Sequence, residues 1–152
     1  MFAGNKIAGL ALVAFVLVAC DPAADFELPG SSRAEDSCRV SRVIDGDTVV
    51  LTCTGSGVQR ARLMGFDTPE VFSPRCAAER AKGMEATRYL RRLLARADTV
   101  TFAFRGTDRY GRSLTQMRID GKNVAGTMVA AGLAVRYSGG KRINWCSRLA
   151  RA

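Results

Sequence analysis

Apolar and polar positions along residues 38–137 fall into short alternating blocks broken by turn residues, with one long helical block among them. Cys38–Ile44 and Thr48–Cys53 are rich in β-branched residues and flank Asp45-Gly46, a strong turn signal, so they are expected to pair as a hairpin. Val58–Leu63 alternates imperfectly, with Val58, Ala61 and Leu63 against Gln59, Arg60 and Arg62. Ser73-Pro74 offers a cap and a first turn for a helix expected to run to about Ala97. Its inner face would be Ala86, Leu90, Leu93, Leu94 and Ala97, which recur at helical intervals. Thr99–Phe104 and Leu114–Ile119 read as strands, with Arg105–Gly111 as a turn-rich loop between them. Asn123–Ala131 reads as a short helix stopped by Gly132, Leu133–Tyr137 as extended, and the remainder as a short basic tail. Five short strands with two helices predict a small barrel of α+β class.

The first residues carry a different pattern. Lys6 precedes Ile7–Ala19, a charge-free apolar run too short to span a bilayer as a helix and matching the apolar region of an export signal. It ends in Leu17-Val18-Ala19-Cys20, which resembles a bacterial lipobox. Residues 1–19 are therefore expected to be a signal peptide, with lipid carried on Cys20. Residues 20–37 form an acidic linker with two prolines, a glycine and three serines. The folded domain is expected over residues 38–152, exported to the periplasm or cell envelope and tied to a membrane through the N-terminal lipid alone.

Charge sharpens the picture. Residues 21–36 have a net charge of −4 and residues 37–152 a net charge of +12. A body this basic favours an anionic partner, with nucleic acid foremost. The sequence contains no histidine, so a Ser-His-Asp triad, a Cys-His pair and a His-ligated zinc site are excluded. Apart from Cys20 the cysteines are Cys38, Cys53, Cys76 and Cys146, an even number that suggests two disulfides after export. With Asp45-Gly46 at the turn, Cys38 and Cys53 face each other at the open end of the hairpin, which leaves Cys76 with Cys146. A β-bulge would shift that register.

Three clusters hold candidate chemistry: Ile44-Asp45-Gly46-Asp47-Thr48-Val49, Arg62-Leu63-Met64-Gly65-Phe66-Asp67-Thr68-Pro69-Glu70 and Thr107-Asp108-Arg109-Tyr110-Gly111-Arg112. Singly they are a hairpin turn, a strand running into a turn before proline, and a polar loop. The first two hold four of the body's nine acids, inside a strongly basic protein, and arginines accompany them. Hard cations such as Ca²⁺ take several oxygen ligands, and arginine forks match phosphate oxygens. That inventory suits phosphodiester hydrolysis without histidine.

The motifs I-D-G-D-T-V, R-L-x-G-x-D-T-P-E and D-x-Y-G-R, in this order over residues 39–137, resemble the staphylococcal nuclease family. Glu79, Lys82-Gly83, Glu85-Ala86, Asp120-Gly121 and Gly132-Leu133-Ala134 agree as well. The resemblance implies an OB-fold, a five-stranded β-barrel with packed helices. It implies a calcium-dependent endonuclease of low sequence specificity on DNA or RNA, leaving 5′-hydroxyl and 3′-phosphate ends. Asp47 and Asp67, with the Thr68 carbonyl, are the implied Ca²⁺ ligands, and Asp45 is a neighbouring acid. Glu70 is the implied residue that positions or activates water, and Arg62 and Arg112 are the pair that neutralises phosphoryl oxygens. Tyr110 and Tyr137 are implied substrate contacts, the latter by stacking. No obligate protein partner is inferred. The family prototype continues into a long C-terminal helix, and here a Cys76–Cys146 disulfide is expected to fasten the tail instead. The competing reading is a non-catalytic OB-fold module that binds nucleic acid or a partner at the envelope. Such modules lose the carboxylates and arginines that are present here.

Overall fold

The computed structural model describes residues 37–151. The signal peptide, Cys20 and the linker up to residue 36 lie outside the described residues. Eight strands and three helices follow in the order β1 (Cys38–Val43), β2 (Thr48–Cys53), β3 (Gly57–Leu63), β4 (Gly65–Asp67), α1 (Ala77–Ala95), β5 (Val100–Thr107), β6 (Ser113–Ile119), β7 (Lys122–Asn123), α2 (Val124–Ala130), β8 (Val135–Tyr137) and α3 (Trp145–Leu149). The main sheet runs β1-β2-β3-β6-β5, with β7 beside β6. Its β3–β6 pairing is parallel and its other pairings are antiparallel. This is an α+β fold along a five-strand path, and no ladder joins β1 to β5 among the described residues. A second pairing, β4 with β8, brings Asp67 opposite Val135 and Gly65 opposite Tyr137.

The hairpin reaches its expected cysteine pair by an unexpected route. Near the turn Val43 faces Val49, and the backbone N–H of Ile44 donates to the Thr48 carbonyl at 2.9 Å. Three residues, Asp45-Gly46-Asp47, thus make the turn in place of two. A bulge at Ser41 then takes up the extra residue, and Cys38 faces Cys53 after all. The Cys38–Cys53 and Cys76–Cys146 disulfides are both present.

Burial follows chemistry. Val49, Leu51, Ala61, Leu63, Phe66, Ala86, Leu90, Met117, Val124 and Met128 form the centre of the core, with Leu93, Leu94 and Ala97 packed at its margin. The expected inner face of the long helix is therefore the face that packs. Its start is not the expected one. Ser73 is no cap: α1 begins at Ala77 after Cys76, which makes no side-chain cap bond. Glu79, at the third helical position, instead ties down the loop that enters the helix, accepting the N–H of Arg75 at 2.7 Å and that of Glu70 at 3.5 Å. Pro74 and the preceding loop are held outside the helix.

Two glycines let α1 press on the loops that carry the acids. A Cβ at Gly83 would lie 2.6 Å from the Pro69 carbonyl oxygen, and one at Gly46 would lie 2.9 Å from both Ala86 Cβ and Thr68. Gly83 interrupts the helical propensity of the sequence because Pro69-Glu70 needs its space. Elsewhere β5 runs on to Thr107, through a bulge after Phe104, where a loop was expected. Alternation stops at Phe104, but Thr107 resumes pairing with Ser113. The expected basic tail is corrected as well. It contains α3, and Trp145 is buried.

Candidate active site

The sheet delivers the three clusters to one end. In register, Thr48, Arg62 and Leu114 lie abreast on β2, β3 and β6. Asp47 precedes β2, Arg112 precedes β6, and β4 ends on Asp67. Asp45, Asp47, Arg62, Glu70, Tyr110, Arg112 and Tyr137 line one open cleft of about 710 Å³. The side chain of Asp67 is 1% exposed and lies beneath it.

The acids are held individually. Asp47 Oδ2 accepts the N–H and hydroxyl of Thr68 at 3.1 and 3.0 Å and pairs with Arg62 Nη1 at 3.1 Å. Its Oδ1 accepts the Thr48 hydroxyl at 3.2 Å. Asp45 Oδ1 accepts the N–H of Asp47 at 3.0 Å, closing the turn. Burial, and then the charge of Asp47, push the Asp45 carboxyl up to about 6. Asp67 Oδ2 accepts the indole N–H of Trp145 at 3.0 Å. Burial raises the Asp67 pKa, and the Trp145 hydrogen bond and the Arg142 charge only partly offset it.

The two arginines that the resemblance pairs are not equivalent. Arg62 is 12% exposed and bridges Asp47 and, at 3.6 Å, Asp67. It also donates to the carbonyls of Leu63 at 2.8 Å and Phe66 at 3.1 Å. Arg112 is less buried and is paired with Asp108 at 2.7 Å. Asp108 organises its own loop. Desolvation is the largest single effect and works against its charge, but the N–H groups of Arg112 and Tyr110 and the Arg112 guanidinium together outweigh it and hold its carboxyl below the usual range. Tyr110 projects from that loop at 71% exposure, with the guanidinium carbons of Arg109 and Arg112 at 5.2 and 5.7 Å from its ring centre. Tyr137 lines the cleft, and its hydroxyl donates to the Gly140 carbonyl at 2.7 Å.

One site residue is absent from the sequence reading. Arg142, from the segment read as a basic tail, reaches into the acidic cluster. Its guanidinium contacts the carboxylates of Asp67 and Glu70 and donates to the Thr68 carbonyl at 3.1 Å. Burial opposes its charge, but Asp67 and then Glu70 outweigh that effect and raise its pKa. The oxygens gathered around it come from two aspartates, a glutamate and a backbone carbonyl. That donor set fits a hard cation such as Ca²⁺.

The family model for staphylococcal nuclease homologues matches residues 60–146, more than half of the chain. The chain belongs to the staphylococcal nuclease family. Endonuclease YhcR of Bacillus subtilis is 34% identical over 116 residues, which is 72% of this chain and 10% of that protein. The thermonuclease of Staphylococcus hyicus is 32% identical over 111 residues, 72% of this chain and 64% of its own length. An uncharacterized endonuclease of Haemophilus influenzae is 31% identical over 110 residues, covering 72% and 57%. The chain thus spans less than two thirds of each of these relatives. The stretch matched to the staphylococcal nuclease family runs past Arg142 and Trp145 to Cys146. A single tryptophan beside a cysteine was the sequence signal that this segment belongs to the folded site.

Proposed function

We propose that the chain is a metal-dependent nuclease that hydrolyses phosphodiesters of DNA, RNA or both with low sequence specificity, with Ca²⁺ as its ion. One observation carries this reading: Asp47, Asp67, the Thr68 carbonyl and Glu70 converge at a cleft that Arg62 and Arg112 also line. Asp47, Asp67 and the Thr68 carbonyl would hold the ion, which when bound supplies charge neutralisation at a phosphoryl oxygen and eases deprotonation of water. Glu70 is 35% exposed, at the solvent side of the cluster, where its carboxylate can orient a water or take its proton. Arg112 neutralises phosphoryl oxygens as charge builds, acting through its charge and its fork of donors. Tyr110 contacts a neighbouring phosphate, and Tyr137 supports a nucleotide by stacking. The two disulfides suit an oxidising compartment outside the cytoplasm, and Leu17-Val18-Ala19-Cys20 supports a lipid anchor on Cys20.

The test is digestion of DNA and RNA, single- and double-stranded, with Ca²⁺ and with chelator. Cleavage only with the ion supports the reading. Equal cleavage in chelator removes the metal from it, and no cleavage with any divalent ion leaves the binding module. For the anchor, intact-mass measurement should find lipid on Cys20, and an unmodified Cys20 removes the anchor from the proposal.

A further inference from the structure

Arg142 is placed by structure that does not depend on an ion. The segment leaves β8 at Tyr137, whose hydroxyl holds the Gly140 carbonyl, and turns through Gly139 and Gly140 at φ of 112° and 86°. Beyond Arg142, Asn144 caps α3 by accepting the N–H of Ser147 at 3.1 Å. Trp145 is buried and bonded to Asp67, and Cys146 is bonded to Cys76 at the start of α1. The chain is thus fastened on both sides of Arg142, and the guanidinium meets three of the four oxygen sources named above.

We infer that Arg142 is the resident cation of the acidic cluster and sets how tightly that cluster takes a divalent ion. The inference rests on the proposed function, because it supposes that the cluster binds such an ion. Three carboxylates, Asp47, Asp67 and Glu70, meet two guanidiniums, Arg62 and Arg142. A divalent ion that shares Asp67 Oδ1 and the Thr68 carbonyl displaces Arg142, because its charge repels the guanidinium that both oxygens already hold. Asp67 Oδ2 is turned to the buried Trp145 indole, which leaves Oδ1 as the oxygen facing the other ligands. Arg62 is locked by backbone carbonyls as well as by carboxylates, so it stays. Arg142 is 38% exposed and has solvent to move into. The ion therefore competes with a tethered arginine, and removal of that arginine lowers the concentration at which the site fills.

Trp145 is the only tryptophan, and its indole touches the site, so its fluorescence reports on ion binding directly. The experiment titrates Ca²⁺, and separately Mn²⁺ and Mg²⁺, into the wild type, Arg142→Gln and Arg142→Lys without substrate, followed by Trp145 fluorescence and calorimetry. Arg142→Gln should bind Ca²⁺ about tenfold more tightly or better, a change of about 1.4 kcal/mol or more. Arg142→Lys keeps the charge, loses the fork, and should fall between the two. If Arg142→Gln is unstable without an ion, its thermal midpoint should rise more steeply with Ca²⁺ than that of the wild type, since an ion that binds only the folded state stabilises it. Equal or weaker Ca²⁺ binding by Arg142→Gln, with normal binding by the wild type, overturns the role of Arg142 and leaves the nuclease reading intact. Failure of all three proteins to bind any of the three ions overturns both.

Discussion

Arg62→Ala should damage the fold as well as the activity, and the damage can be sized from the contacts. The substitution removes a guanidinium that is 12% exposed, paired with Asp47 at 3.1 Å and Asp67 at 3.6 Å, and bonded to the Leu63 and Phe66 carbonyls. Breaking a buried pair by deleting one partner costs about 3–5 kcal/mol, and the low end applies because Arg142 and Trp145 still hold Asp67 and the loss falls mainly on Asp47. Two carbonyls that lose a donor add up to about 1 kcal/mol each, but the open cleft lets water replace part of what is lost. A net cost of about 3 kcal/mol follows, a large share of the roughly 5–15 kcal/mol of a typical domain. Arg112 is the internal control. Its pair with Asp108 is more exposed, and such pairs are worth about 0–1 kcal/mol. The assay is urea unfolding in chelator with disulfides intact, followed by Trp145 fluorescence. Arg62→Ala destabilised by less than about 1 kcal/mol, or by no more than Arg112→Ala, would refute the reasoning. Loss of turnover in Arg62→Ala then mixes a weakened site with missing transition-state charge, whereas in Arg112→Ala it reports missing charge and the loosened Tyr110 loop, with the fold intact.

Further outcomes are expected. Glu70→Gln should lower turnover by about 10²–10⁴-fold with little change in oligonucleotide affinity, and steady-state kinetics that show wild-type turnover would remove Glu70 from the water. Asp45 has a carboxyl raised to about 6 in the fold, above its unfolded value, so its ionisation costs stability as pH rises through that range. Asp45→Asn should therefore be more stable than the wild type in chelator at pH 7.5, by about 1–3 kcal/mol, and the gap should close near pH 4. Urea curves that show no gap at pH 7.5 contradict the shift. Of the arginines lining the cleft, Arg62, Arg112 and Arg142 are carboxylate-paired, while Arg60 and Arg109 carry no ion pair among the described residues. Single-stranded DNA meeting two or three of these arginines should give log K against log salt a slope of about −1.5 to −2, and anisotropy that shows a flat line would argue against phosphate contact.

What was legible in the chain depended on how local its cause was. Alternation and turn residues located β1, β2, β3 and β6, and the motifs held the residues that meet at one cleft, Asp47, Arg62, Glu70 and Arg112 lining it and Asp67 beneath it. The Cys38–Cys53 pair was legible for a partly wrong reason. The turn holds three residues, and the bulge at Ser41 cancels the error. Ser73-Pro74 misled because capping was assigned by residue type at the helix start, whereas the helix begins three residues later, after Cys76, and Glu79 in its first turn reaches back to hold the entering loop. Gly83 runs against helix propensity in α1 because propensity is a local quantity, and the need for glycine there is set by Pro69 from another element. Arg142 and Trp145 were missed for the same reason in stronger form. By themselves Lys141-Arg142-Ile143 read as a solvated basic tail, since α3 is five residues long and has no apolar stripe, and the adjacent Trp145-Cys146 was the one signal against that. Their positions are set by a disulfide to Cys76, by an indole hydrogen bond to Asp67 and by an acidic cluster more than seventy positions away. A buried carboxylate such as Asp67 requires compensation from some part of the chain, and Arg62 alone leaves the three carboxylates short of positive charge. A search for a second cation among the basic residues near Cys146, once Cys76–Cys146 is accepted, is the step by which electrostatics reaches Arg142 where periodicity does not.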